Sequence, residues 1–287
     1  MTPTLNIDEI KQIPLELLKF DIRNPRLTPD HRPDGNENWQ IIKALSDHED
    51  LGELITSIAA NGYLDFEPLI VMQEEGLSGN SGPFVVLEGN RRLAALLFLL
   101  DKNLSEKCRI SYPDVVHPDL KKQTQEIRVN RVKGRDAAWA YIGFKHVNGA
   151  QMWDAYPKAL YLTDWYLSEL KKDPDTTLTS LSAKLGDRHD TIKRMVNGNL
   201  ALRQAHDRDL FHVNDRSRKT KFYFSHFYTA MSRLDYCNYA NLEKNWILND
   251  TPRNDPLTGS QLSKVGEILR WIYGLSLYTS PSPRDRG

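Results

Sequence analysis

The residues best suited to chemistry in this chain stand together at Glu88-Gly89-Asn90-Arg91-Arg92, between the apolar run Phe84-Val85-Val86-Leu87 and the helical sequence Leu93-Ala94-Ala95-Leu96. Glycine lets the backbone approach a ligand closely or take positive φ, and the first N–H groups of a following helix have no internal acceptors. Those donors, the positive end of the helix dipole and the forked guanidinium of Arg91 or Arg92 predict a site for phosphate oxygens. The plainer alternative is a strand-turn-helix junction with a polar start and exposed arginines.

The elements that must position this site are legible in the first third of the chain. Ile13-Pro14-Leu15-Glu16-Leu17-Leu18 leads into Phe20-Asp21-Ile22-Arg23-Asn24-Pro25-Arg26-Leu27, read as an extended segment and a turn. Glu53, Leu54, Ile55, Ile58 and Ala59 have helical spacing up to Asn61-Gly62, a C-terminal stop. Pro68 to Met72 reads as one strand, Leu77 to Gly82 as a loop and Phe84 to Leu87 as a second strand, with a helix from the glycine to about Leu100. From Asp136 onward helical periodicity dominates, which places the change of regime near residues 115–135.

The 287 residues suffice for two domains. A formal net charge of +0 removes any global signature of nucleic-acid binding, so such a surface must be a local patch. Two cysteines, Cys108 and Cys237, make neither a disulfide framework nor a metal knuckle and fit a reducing cytoplasm. The first residues lack a secretory pattern and no stretch approaches a membrane span, so no membrane partner is expected.

Taken in order, Leu15 to Arg26, Leu51 to Gly62, Pro68 to Met72 and Val85 to Ala95 resemble the ParB N-terminal/sulfiredoxin-like superfamily over roughly residues 10–110. The family's pieces are an apolar start ending in an Asn-Pro-x-Arg-like turn, a helix, a Pro-Leu-Ile-Val strand and a Gly-x-x-Arg helix opening. The resemblance implies a nucleoside triphosphate ligand, CTP or ATP with magnesium, held by Gly89, Asn90, Arg91, Arg92, Asn24 and Arg26. Asn90 replaces the family's glutamate. It also stands where a sulfiredoxin carries its reactive cysteine, and Cys108 lies beyond the helix, which argues against a sulfinic-acid reductase. The family's Glu-Asn-x-Gln-Arg-like segment has Arg128-Val129-Asn130-Arg131 as its nearest counterpart. Glu88, Asp21, Asp65 and Glu67 are oxygen ligands of the kind magnesium prefers, with Glu88 and Arg92 as the catalytic candidates, although each carboxylate is also an ordinary solvated side chain.

A second unit, Thr177 to Val196, reads as a helix-turn-helix. Leu178, Leu181 and Leu185 form an inner stripe, Gly186 permits the turn, and Ile192 with Val196 returns the second helix to the core. Arg188, His189, Asp190, Lys193 and Arg194 then face outward, and ParB proteins carry such a motif after their nucleotide domain, so Arg188, His189, Lys193 and Arg194 are expected to touch DNA. Leucine-glycine-isoleucine spacing also suits an ordinary helical hairpin.

The aromatic run Trp139, Tyr141, Ile142, Phe144, His146, Trp153, Tyr156 and Trp165 is read as a helical core, with His146 as a hydrogen-bonded structural histidine. The basic run Arg216 to Lys221 before Phe222 to Tyr228 reads equally as a solvated loop or a DNA contact. The last residues, Gly274 to Gly287, resemble a translated sequencing-adapter end, so the natural protein is expected to continue beyond residue 275.

The combined expectation is an α+β ParB/sulfiredoxin-like N-terminal domain followed by an all-α domain with a helix-turn-helix. The divisions are 1–125 for the nucleotide domain, 126–200 for the helical domain with its motif at 177–196, 201–275 for a truncated helical region and 276–287 for the tail. The function expected is nucleotide-dependent DNA binding as a clamp or regulator, with a homodimer as a candidate assembly. Two rivals use the same residues. One is a nuclease or phosphotransferase, for instance in phage defence, and the other a protein-interaction module without nucleotide chemistry.

Overall fold

A five-stranded mixed sheet organises the first half of the chain: β1 (Ile7–Pro14), β2 (Leu18–Phe20), β3 (Leu69–Gln73), β4 (Phe84–Glu88) and β5 (Glu126–Val132), in the spatial order β1-β5-β3-β4-β2. β5 runs antiparallel to β1 and parallel to β3, β3 is antiparallel to β4, and β4 is parallel to β2. The computed structural model describes residues 7–74, 82–148, 153–185, 190–215 and 222–274, in two compact units, Met1–Gln151 and Met152–Gly287. Among the described residues no helix is long and apolar enough to cross a membrane.

Central β3 buries Leu69, Ile70, Val71 and Met72 in succession, the pattern of a strand covered on both faces. Around the sheet stand α1 (Asn38–His48), α2 (Leu51–Asn61), α3 (Asn90–Leu100), α4 (Leu104–Cys108), α5 (Leu120–Gln123) and α6 (Arg135–Gly143). α1 opens with a capping box in which Glu37 and Gln40 satisfy each other's backbone, and it buries Ile41, Ile42 and Leu45. α2 buries Leu51, Ile55, Ile58 and Ala59 and stops at Gly62, whose φ of 76° confirms the expected glycine stop. α3 buries Leu93, Ala94, Ala95, Leu96, Phe98 and Leu99, so small residues let its first turns approach the sheet closely. Free Cys108 is buried and bonds the Trp39 carbonyl at 3.3 Å, and burial pushes its thiol up.

The division at residues 151 and 152 differs from the boundary expected at 125. Residues 126–132 are a strand between β1 and β3, with Ile127, Val129 and Val132 buried, so they complete the first sheet instead of opening the helical region. Arg128 and Arg131, the nearest counterparts of the family's third segment, are engaged at that sheet. Arg128 donates to the Asp65 carbonyl at 2.6 Å, and Arg131 donates to Gln73 at 2.7 Å.

The second unit is helical among its described residues: α7 (Ala155–Lys172), α8 (Leu178–Leu185), α9 (Thr191–Asp207), α10 (Phe224–Ala230), α11 (Leu234–Tyr239) and α12 (Gly259–Tyr273). Trp153, Tyr156 and Trp165 are buried there and Trp139 in the first unit, as a core reading of the aromatic run requires, whereas Phe144 is 63% exposed. α9 is the axis of this unit, burying residues on all sides from Met195 to Ala205. Two of its polar positions bond within the unit: Gln204 exchanges two hydrogen bonds with the Leu257 backbone, and Asn199 donates to Thr163 at 2.9 Å while its side-chain oxygen is buried without a hydrogen bond.

Candidate functional site

Gly89, at φ 105°, forms the turn from β4 into α3. A Cβ there would stand 2.2 Å from the Leu69 side chain, so the position excludes any side chain on two grounds. Because glycine supplies no capping oxygen, the first turn of α3 opens without a side-chain cap. A cavity of about 400 Å³ lies at this turn, lined by Gly89, Asn90, Arg91, Arg92, Asn24, Arg26, Glu53, Leu54, Ser57, Glu67, Glu88, Lys145 and His146. All six residues expected to hold nucleotide therefore border one cavity, and Glu88 joins them.

Three guanidiniums face this space with different degrees of freedom. Arg26 pairs with Glu49, and its backbone N–H is held by the Asn24 side chain at 2.9 Å, so Asn24 shapes the turn that aims Arg26. Arg91 donates to the Asp50 carbonyl at 3.0 Å and leaves its buried Nε without a hydrogen bond. Burial, with the neighbouring Arg26 charge, pushes the Arg91 pKa down against the opposing charges of Glu49, Asp50 and Glu53. Arg92 donates to the Glu67 carbonyl, lies 3.7 Å from the Glu67 carboxylate, and has a buried Nη2 with no hydrogen bond. Desolvated donors of this kind are costly until an acceptor reaches them, about 1–3 kcal/mol each.

Asn90 does a different job from the one expected. Its side chain is buried, accepts from the Asp21 N–H at 3.1 Å and donates to the Val86 carbonyl at 2.6 Å. The amide joins α3 to the residue after β2 and to the middle of β4, while Asn90 also borders the cavity.

Glu88 is also not the free carboxylate that metal chemistry needs. It accepts from His146 Nε2 at 2.8 Å and pairs with Lys145 at 2.9 Å. Burial alone would raise its pKa, but the hydrogen bond and charge of His146 and the charge of Lys145 hold it at about 2. The other proposed magnesium ligands are likewise taken: Asp21 by Arg135 at 2.6 and 2.8 Å, Asp65 by Arg128 at 3.3 Å, and Glu67 by Lys145 at 2.5 Å. Among the described residues no group of three or more His, Cys, Asp or Glu is placed to hold a metal ion. These carboxylates do not fit magnesium; they fit a cluster of side-chain cations.

Lys145 and His146 are the members of the site that sequence reasoning did not assemble, although His146 is hydrogen-bonded as expected. They follow α6 in a π-helical stretch, Phe144–Asn148, and consecutive residues of it both line the cavity. A basic pair at the end of an aromatic helix is the only sequence signal for them.

In the second unit the turn residues Gly186, Arg188 and His189 lie outside the described residues, as do the basic run 216–221 and the tail beyond Gly274. Lys193 and Arg194 lie on the first turn of α9 and are half-buried. Lys193 is 3.4 Å from Asp250, and Arg194 Nε is buried without a hydrogen bond. Leu178, Leu181, Leu185, Ile192 and Val196 are buried as the expected inner stripe, and Ser182 bonds the Leu178 carbonyl at 2.9 Å within α8.

No family model and no curated protein matches the chain. Among solved structures it is similar to the C-terminally truncated chromosome-partitioning protein ParB from Caulobacter crescentus complexed with CTP-gamma-S, at 15% identity and a TM-score of 0.25, over 70% of this chain and 87% of that one.

Proposed function

We propose that the first unit binds the phosphates of a nucleoside triphosphate, CTP or ATP, at the start of α3. The observation that carries this reading is the uncapped first turn after Gly89, bordered by Arg26, Arg91 and Arg92, with desolvated guanidinium donors that lack acceptors. Phosphate oxygens would accept from the backbone N–H groups and the arginines together. Charge balance at the site comes from arginine and lysine side chains, so binding without added magnesium is expected.

A second reading, DNA contact by the second unit, is supported by two helices, α8 and α9, within the stretch 177–196, with Lys193 and Arg194 on the first turn of α9. Helices of this motif touch base edges and phosphates with their N-terminal residues, so burial of the rest of α9 is compatible with it.

Calorimetric titration of the full chain with CTP, ATP, GTP and UTP, with and without magnesium, tests the first reading. Saturable binding of one nucleotide, weakened at least about tenfold by Arg91→Ala, is expected from the loss of charge-assisted hydrogen bonds. Absence of binding to all four, or affinity indifferent to both Arg91→Ala and Arg92→Ala in folded protein, would overturn it. Turnover of nucleotide or nicking of added duplex in the same mixtures would identify an enzyme.

A further inference from the structure

The Glu67 carboxylate is surrounded as a bound anion would be. One oxygen accepts from Lys145 Nζ at 2.5 Å and from the Tyr141 hydroxyl at 3.0 Å, and the other lies 3.7 Å from Arg92 Nη2. Tyr141 and Lys145 stand four residues apart where α6 runs into the π-helical stretch, and the fold brings Arg92, on the first turn of α3, to them. Arg92 and Lys145 line the same cavity as Gly89 and Arg91. Glu67 itself is the least enclosed member, with its side chain 45% exposed, while its partners Arg92 and Lys145 are 19% and 21% exposed. Its main-chain carbonyl, by contrast, anchors Arg92 and would stay in place if the side chain turned out to solvent.

We infer that Arg92, Lys145 and Tyr141 form a second phosphate subsite beside the α3 start, and that Glu67 is its internal occupant, displaced when an oligophosphate chain binds. The inference rests on the phosphate-binding reading of the same cavity and adds its second half. A carboxylate and a phosphate oxygen compete for the same charged donors, because both accept short charge-assisted hydrogen bonds from ammonium and guanidinium groups. A single phosphate at the α3 turn leaves Glu67 undisturbed, whereas a ligand with two or three linked phosphates must expel it. Glu67 therefore lowers affinity for oligophosphates and sets the gap between them and orthophosphate. Its pKa, held low by Lys145, Tyr141 and Arg92 against the opposing effect of burial, agrees with a carboxylate that is charged and held as an anion.

Calorimetric titration of the full chain with orthophosphate and tripolyphosphate separates these roles. In Glu67→Gln, tripolyphosphate should bind about tenfold tighter, with orthophosphate changed far less, because one charged competitor has been removed. Glu67→Ala should act in the same direction, which keeps the test open if the amide variant fails to fold. Glu53→Gln is the electrostatic control: Glu53 also borders the cavity and carries the same charge, with its field on Arg91, whereas the Tyr141 and Lys145 bonds described above go to Glu67. A smaller gain in Glu53→Gln than in Glu67→Gln supports displacement. Equal gains in the two variants, or no gain in either Glu67 variant while the wild type binds tripolyphosphate through Arg91, would overturn the subsite alone. If neither the wild type nor the Glu67 variants bind any phosphate, the phosphate-binding reading falls with it.

Discussion

The Asn90 amide accepts a hydrogen bond from the Asp21 backbone N–H at 3.1 Å, across 69 positions of sequence, and returns one to the Val86 carbonyl at 2.6 Å. Asp21 is itself 2% exposed and gripped through both carboxylate oxygens by Arg135 at the start of α6. One chain of bonds thus joins α6, the residue after β2, the middle of β4 and the first residue of α3. The candidate phosphate turn is positioned by this chain, which explains why a side chain at the mouth of a cavity is turned inward.

Asn90→Ala should therefore act on stability. It takes the side-chain acceptor from the Asp21 N–H and a donor from the Val86 carbonyl, and an unsatisfied buried group costs about 1–3 kcal/mol. Urea denaturation followed by a probe in the first unit should show a lower midpoint with little change in slope. An unaltered midpoint would mean that water replaces the amide at no cost and that Asn90 is free to serve a ligand.

The ion cluster at Glu88 predicts an acid-sensitive fold. Burial opposes the charged carboxylate, but His146 and Lys145 hold its pKa at about 2, below the ordinary 4.5. A group whose pKa is depressed on folding stabilises the native state above its unfolded pKa and loses that contribution as pH falls through the folded one. The window is therefore from about 4.5 down to about 2, and the amount at stake is on the order of 3 kcal/mol. Glu88→Gln should be less stable at neutral pH and lose less stability between pH 5 and pH 3, measured as urea midpoints at about 0.5 pH intervals. Parallel midpoint curves for variant and wild type would show that the cluster contributes nothing to the acid limb.

Gly89→Ala tests the turn. Alanine at φ 105° is strained, and its Cβ would collide with Leu69 at 2.2 Å, so the helix start must shift. Strain together with overpacking should cost roughly 2–4 kcal/mol, with anion binding reduced more than in a variant of equal stability lost elsewhere in the sheet. A folded Gly89→Ala protein with full phosphate affinity would show that close backbone approach is not used.

The legible parts of this fold were those punctuated locally. The stop at Gly62, the apolar run at Leu69 to Met72 and the glycine between Phe84–Leu87 and the α3 sequence each carry their signal within a few residues, and each is an element boundary in the structure. β5 was missed although Ile127 and Val129 alternate with Arg128 and Asn130, because charged residues on its other face made seven residues look like a linker. The site was half legible for the same reason: Gly89, Arg91 and Arg92 are contiguous, whereas Lys145 and His146 arrive through a π-helical turn that no apolar periodicity announces. The bonds of the Asn90 side chain are not legible locally, because its donor is the Asp21 N–H and its acceptor the Val86 carbonyl, and both come into reach only once the sheet is paired.

Among the described residues of α9, DNA contact under the second reading falls on the first turn, since most positions from Met195 to Ala205 are buried. A chain with a formal net charge of +0 has no broad positive field, so binding must rest on a few phosphate contacts and weaken steeply with salt. Each phosphate contact contributes about −0.9 to the slope of log affinity against log salt. Replacing Lys193 and Arg194 together by alanine should flatten that slope by about two, with the fold intact because both side chains are half-buried and neither belongs to the apolar core. The expected intermediate result for Lys193→Ala alone is a change of about one, reduced if the Asp250 ion pair must first be broken. Fluorescence anisotropy with a labelled duplex between about 50 and 200 mM salt reads the slope directly. An unchanged slope in the double variant, or no salt-sensitive binding by the wild type, would leave α8 and α9 as a structural hairpin whose charged first turn serves the unit's own packing.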